Sequence, residues 1–189
     1  MAEAFSNKVV RAAGIVTSYS GSTIGAGGTT ITVSAITGIG VSFLVDNQNF
    51  IAGTRVHSTL PVSGGVGTVF TDKNSTNTAS SATSQTVKFL GPTTAYTSPS
   101  ATKSIIIGGT FANNTQNSVN LTVEVYDTSV GVTSTGSAAI ASKIPIPAGS
   151  SFVISDTGKT LLEAGDELKV YCDTTDAVDV NLSILTGVN

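Results

Sequence analysis

Residues 118–126 read Ser-Val-Asn-Leu-Thr-Val-Glu-Val-Tyr. Val119, Leu121, Val123 and Val125 are apolar, and Asn120, Thr122 and Glu124 between them are polar. A period of two puts the first set on one face of a strand and the second on the other. The same alternation predicts a strand over 166–172, with Leu168, Val170 and Cys172 facing inward, and another over 178–185, with Val178, Val180, Leu182 and Ile184 inward. These eleven residues are the predicted core of the C-terminal half. Further strands are expected at 103–107, 138–144 and 151–154. Pro145 and Pro147 mark the second of these as an edge strand, because proline cannot donate to a ladder. Gly108 and Gly109 should end or bulge the first.

The N-terminal half alternates less cleanly. Strands are predicted at 29–36, 41–45, 67–70 and 85–90, and 51–56 reads as a turn entering another. Residues 19–28 are rich in Gly and Ser and are expected to be a flexible loop. Residues 61–67 and the polar excursion 72–84 also read as loops. Turns are expected at 113–117, 130–137 and 156–158, and a bend at 160–166. Residues 91–102, with Pro92 and Pro99, are the linker candidate. Residues 1–14 read as an arm, in which 8–13 could be a short helix or strand. The expected fold is all-β: an N-terminal arm (1–14), an N-terminal β domain (15–98) and a C-terminal β-sandwich (99–189), each domain a small antiparallel sandwich or barrel.

Composition agrees with strands. Ser and Thr make up more than a quarter of the 189 residues, yet hydrophobic residues reach 40%, enough for a core. Thr is β-branched and suits the wet face of a sheet. Net charge is −3, split as +2 over residues 1–100 and −5 over 101–189. So acidic a chain is expected to bind no nucleic acid through phosphates. The sequence has no apolar run near the roughly 18–20 residues of a membrane helix, so no membrane partner is expected. The first residues, Met-Ala-Glu-Ala-Phe-Ser-Asn-Lys, hold no apolar signal core, so use without Sec export is expected. One Cys excludes an intrachain disulfide, and Cys172 reads as a buried small hydrophobe.

The side chains that carry chemistry are few. His57 is the only histidine and has no nucleophile motif around it. Glu163, Asp166 and Glu167, and Asp173, Asp176 and Asp179, form two acidic groups that read as solvated turns; glycoside cleavage would want aromatic platforms, and the chain has no Trp. Tyr19, Phe50, Phe70, Tyr96, Phe111, Tyr126 and Tyr171 are too scattered for a sugar platform. Residues 46–49 and 173–176 offer hard oxygens, but Asn and Asp close turns without any metal. Gly25 to Gly28 precedes a strand and lacks a phosphate-binding lysine. No catalytic, cofactor-binding or metal-binding residues are therefore assigned, and no enzyme activity or cofactor is expected.

Three segments carry a resemblance: Asn7-Lys-Val-Val-Arg-Ala-Ala-Gly14; Gly38-Ile-Gly-Val41 with Phe50-Ile-Ala-Gly-Thr-Arg-Val56; and Ala148-Gly-Ser-Ser-Phe-Val153 with Leu162-Glu-Ala-Gly-Asp-Glu-Leu-Lys-Val170. They resemble small virion structural proteins of tailed bacteriophages, most of all those of phages infecting marine cyanobacteria. The Ile-Ala-Gly-Thr-x-Val turn is similar to a module of phage fibres, decoration proteins and bacterial surface repeats. The resemblance implies a non-enzymatic virion component assembled in the host cytoplasm. A capsid decoration or cement protein on the head comes first, and a neck, tail or fibre-associated protein second. A carbohydrate-binding or adhesive module is the alternative outside that class. Implied partners are the major capsid protein or neck and tail proteins, and further copies of the chain in a homo-oligomer such as a trimer. Attachment is expected to run through the N-terminal arm.

If the two Asx-rich loops are plain turns, EDTA should leave the melting temperature unchanged, and so should His57→Ala. A large EDTA-induced fall would instead identify calcium as part of the fold.

Overall fold

The computed structural model describes residues 3–130, 136–154 and 159–188. Fifteen strands and one 3-10 turn (Thr128–Val130) make up its regular structure, with no α-helix among the described residues. The chain divides into two compact units: residues 1–15 with 92–189, and residues 16–91.

The first unit is a two-layer sandwich. One sheet has the order β1 (Ala4–Ala13), β15 (Val178–Val188), β9 (Lys103–Asn113), β12 (Ser151–Ile154), with β13 (Thr160–Leu162) also on β9. The other has the order β11 (Ser137–Ile146), β10 (Val119–Tyr126), β14 (Glu167–Cys172), β8 (Thr93–Thr97). One apolar core lies between the layers. Ile106, Phe111, Val180, Leu182 and Ile184 enter it from the first sheet; Leu121, Val123, Leu168, Val170 and Cys172 enter from the second. Of the eleven predicted core residues, ten are buried and Val125 is half-buried against the same cluster. Alternation is legible here because apolar residues occupy the core-facing positions and mostly polar ones the other face, even where that face is also covered, as at Thr122, Glu124 and Tyr171.

Several expectations change. The arm is not free: Ala4–Ala13 pairs antiparallel with β15, from Ala4 opposite Thr186 to Ala13 opposite Val178. Val10 packs against the core and Ala13 is buried in it. The linker candidate contains β8, which pairs with β14 and buries Ala95. The unit boundaries accordingly fall at 15/16 and 91/92 rather than after residues 14 and 98. In sequence, residues 16–91 are an insertion between β1 and β8. Gly14 N–H donates to Thr93 Oγ1 at 3.3 Å, tying the strand that leaves the sandwich to the strand that returns. Gly14 itself is required: its φ is +129°, and a Cβ there would meet Thr174 O at 2.4 Å.

Other readings hold. β11 is an edge strand. The Gly108–Gly109 segment does not end β9 but bulges it: Ser183 opposes Gly108 and Ile184 opposes Ile106, so Ile107 has no opposite number. The bend at 160–166 begins with the short strand β13. The turn expected at 156–158, and most of that at 130–137, lie outside the described residues.

The second unit is one six-stranded sheet, in the order β4 (Leu44–Asp46), β7 (Ala82–Gly91), β2 (Ile15–Ile24), β3 (Thr30–Val33), β6 (Val66–Thr71), β5 (Val56–Ser63). Its two ends meet. Leu44 bridges Arg55, Ser42 N–H donates to Val56 O at 2.8 Å, and Val56 N–H donates to Phe43 O at 2.9 Å. The sheet thus closes into a small barrel, which removes its edges. Ile24, Ile31, Val69, Val87 and Phe89 fill it. Two expected loops are strands. The Gly/Ser-rich segment 19–28 runs as β2 through Ile24, and the loop at 61–67 is a hairpin closed by Gly64 and Gly65 alone. Both glycines have positive φ, 63° and 82°, as a two-residue hairpin turn that matches strand twist requires.

Val123→Asp should destabilise the sandwich by more than about 3 kcal/mol, since a fully buried side chain would become an unpaired charge. Urea unfolding measures this. Parent-like stability would mean that Val123 does not face the core.

Candidate functional site

The residues with chemical potential are spread over the fold and occupied in holding it. His57 is exposed on β5. Cys172 is buried, as expected, with its Sγ 4.0 Å from Asp173 Oδ1. Asp166 closes a turn, accepting N–H bonds from Glu163 at 3.0 Å and Thr128 at 3.2 Å. Glu163 pairs with Lys103 at 3.0 Å, and Glu167 with Lys169 at 3.0 Å. The Lys169 ammonium also sits 3.7 Å over the Tyr126 ring. Asp173 accepts two hydrogen bonds from Asn120, one from its N–H at 2.9 Å and one from Nδ2 at 2.8 Å. In the 46–49 turn, Asn47 Oδ1 accepts the Asn49 N–H at 2.9 Å, an Asx turn. Among the described residues, no three His, Cys, Asp or Glu side chains converge into a metal-ligating group.

Two carboxylates have lowered pKa values. Asp127 is held below its ordinary value chiefly by the Ser129 hydroxyl and then by the Ser129 N–H. Asp179 is lowered first by the Ala12 N–H, then by the Asn114 side chain and, less, by the Arg11 charge; slight burial opposes them. The Ala12 bond, 2.9 Å long, fastens the C-terminal end of β1 where the β1–β15 register shifts between Val10 and Ala13.

The feature that does stand out is a surface. On β15, Val178, Val180, Leu182 and Ile184 point into the core, so Asn181, Ser183 and Leu185 point out. Following the pairings across the sheet from Leu185 gives Phe5 on β1, Ile105 on β9 and Leu161 on β13. Four strands therefore carry one apolar row on the outer face. Phe5 is 78% exposed and Leu161 49%; Leu185 and Ile105 are half-buried between them. At the usual strand spacing the row is about 14 Å long. A parallel row starts at Val9 (59% exposed) and runs through Asn181 and Thr110 to Val153 (55% exposed). Asn7, Ser183 and Gly108 lie between the rows. Phe5 is also the only exposed aromatic ring among the described residues; Phe50, Phe111 and Tyr171 are buried, and Tyr19, Phe70, Tyr96 and Tyr126 are half-buried.

Sequence alone does not bring these rows together. Their members lie on four separate strands, and only the topology brings them together. Ile105, Leu161 and Leu185 carry one local signal: each puts an apolar residue on the outward face of its own strand.

Asp179 generates a prediction. Its folded pKa lies below the ordinary value, so its contribution is present above that value and is lost as pH falls through the folded pKa. Asp179→Ala should lower the urea midpoint at neutral pH and should match the parent at a pH low enough to protonate Asp179 in both states. An equal gap at both pH values would remove Asp179 from the account of how β1 is held.

The chain matches no family model, no curated protein and no solved structure.

Proposed function

We propose that the protein is a non-enzymatic structural component of a tailed-phage virion, a decoration or cement protein on the head surface. The observation that carries the reading is the apolar row Phe5–Leu185–Ile105–Leu161 on the outer face of the five-stranded sheet, with exposed Val9 and Val153 at the ends of a second, mixed row. Apolar side chains aligned across four strands are costly to leave in water and are the usual mark of a docking face. The rest of the chain's polar surface is largely Ser and Thr, with 11% charged residues overall, which suits a coat that is passive toward solvent.

The resemblance to phage virion proteins adds to this. Its three segments fall on β1, on the turn that enters β5, and on the 148–170 region that builds β12, β13 and β14. Two of the three therefore contribute residues to the rows: Val9 from the first and Val153 from the third. In this reading the partners are the major capsid protein and further copies of the chain, and the protein resides in the virion.

The test is cryo-EM and peptide mass spectrometry of purified virions of the phage whose genome encodes this chain. The expected result is two-unit β density on the head, with the five-stranded sheet facing inward. Phe5→Asp with Leu161→Asp should lower occupancy by roughly tenfold or more, while the unfolding free energy moves by only about 0.5 kcal/mol per exposed site. Absence of the chain from purified particles would overturn the proposal. Density on the neck or tail would keep the virion role and overturn the position.

A further inference from the structure

β1 ends the sheet, with β15 on one side and no strand on the other. Nine residues of it, with Glu3 before it, are exposed or half-buried, so the strand contributes far more surface than core. Long edge strands are usually blunted by charge, proline or a bulge along their length; β1 has no proline and a single charge, Lys8, within its regular stretch. Here the shift in register comes only at the C-terminal end, between Val10 and Ala13, and the stretch from Ala4 to Val10 is regular.

We infer that a second copy of the chain occupies this edge, by antiparallel β1–β1 pairing about a two-fold axis at Asn7. A two-fold axis normal to the sheet keeps the outer face outward in both copies. Residues then oppose partners of the same face, and the axis passes through one residue. Five centres can be compared. An axis at Lys8 opposes two ammonium groups directly, which is unfavourable. An axis at Ser6 sets Glu3 against Val9 and Phe5 against Asn7; one at Phe5 sets Glu3 against Asn7; one at Val9 sets Arg11 against Asn7. The axis at Asn7 sets Phe5 against Val9 and Glu3 against Arg11, each twice, with Ser6 against Lys8 on the other face. It is the register that pairs the exposed apolar groups with each other and the opposite charges with each other.

This register also joins the two apolar rows. Phe5 of one copy meets Val9 of the other, so the row through Leu161, Ile105 and Leu185 continues into the row that ends at Val153 in the second copy. The dimer thus presents one continuous outer sheet twice as wide as that of a single chain. The inference specifies the self-association part of the proposed function but rests on the edge strand alone. Its failure would leave the rows as a docking face for another protein.

The edge is about ten residues long, well short of a standard interface, so the dimer should be weak, with a dissociation constant on the order of micromolar. Sedimentation velocity over about 1–200 µM should show reversible monomer–dimer exchange in the full chain. Glu3→Arg and Arg11→Glu should each raise the dissociation constant several-fold, and the double swap should bring it back toward the parent. The register has its own readout. Opposed Cα atoms in an antiparallel pair lie about 4.5–5.5 Å apart, within reach of a disulfide. Asn7→Cys should form a covalent dimer on mild oxidation, and Ser6→Cys and Lys8→Cys should not. N-ethylmaleimide in the SDS buffer keeps buried Cys172 from pairing after unfolding. A monomer throughout the concentration range, a trimer, or faster cross-linking at position 6 or 8 than at 7 would each overturn the inference.

Discussion

The pairing of β1 with β15 is the contact on which the rest of the structure depends. It joins the first strand of the chain to the last, and the Thr186 hydroxyl donates to Ala4 O across 182 residues. Closing so long a loop costs entropy that grows only with the logarithm of its length, so the β1–β15 ladder, with Val10 packed against the core and Ala13 buried in it, can offset it. Once made, the pairing commits the chain to leave the sandwich after β1 and return at β8. The barrel is built from what lies between. The Gly14 backbone, the Thr93 hydroxyl and the Asp179 carboxylate all serve this junction, each holding the end of β1 or the strand that replaces it in the chain.

The same contact completes the candidate docking face. Without β1 the outer face of the sheet would hold Leu185, Ile105 and Leu161, which are neighbours on β15, β9 and β13. With β1, Phe5 extends one row and Val9 begins the other, and the sheet gains an edge that carries both signs of charge. In the proposed assembly, folding and association would be coupled through one strand, because a change that loosens β1 would expose the β15 edge as well as remove Phe5 and Val9 from the face.

How much of this was legible in the sequence depended on whether the signal was local. The alternation at β10, β14 and β15 is local, and it gave the fold class and the core residues of those three strands, while Ile106, Phe111, Ile146, Ile154 and Leu162 on the other strands were not among the predicted core. Pro145 marked the edge position of β11, and Gly108 the bulge in β9. β2 was hidden because Ser18, Ser20, Gly21 and Ser22 have weak strand propensity; pairing on both sides overrides it. β8 was hidden between Pro92 and Pro99, which read as a linker. β1 carried only a weak local signal, over residues 8–13, since its partner lies at the other end of the chain. The apolar rows were invisible for the same reason: Phe5, Ile105, Leu161 and Leu185 are far apart in sequence and meet only through strand order.

Hydrogen exchange of the 4–13 amides as a function of protein concentration tests the central claim most directly, because it reads the pairing of β1 and the occupancy of its edge together. In an edge strand about half of the N–H groups point to the neighbour and half away. The account predicts that one set is protected at every concentration by β15, and that the other becomes protected only as concentration rises. Rapid exchange of the whole segment at all concentrations would contradict it, because residues 4–13 would then be an arm and not the strand that holds the sandwich together.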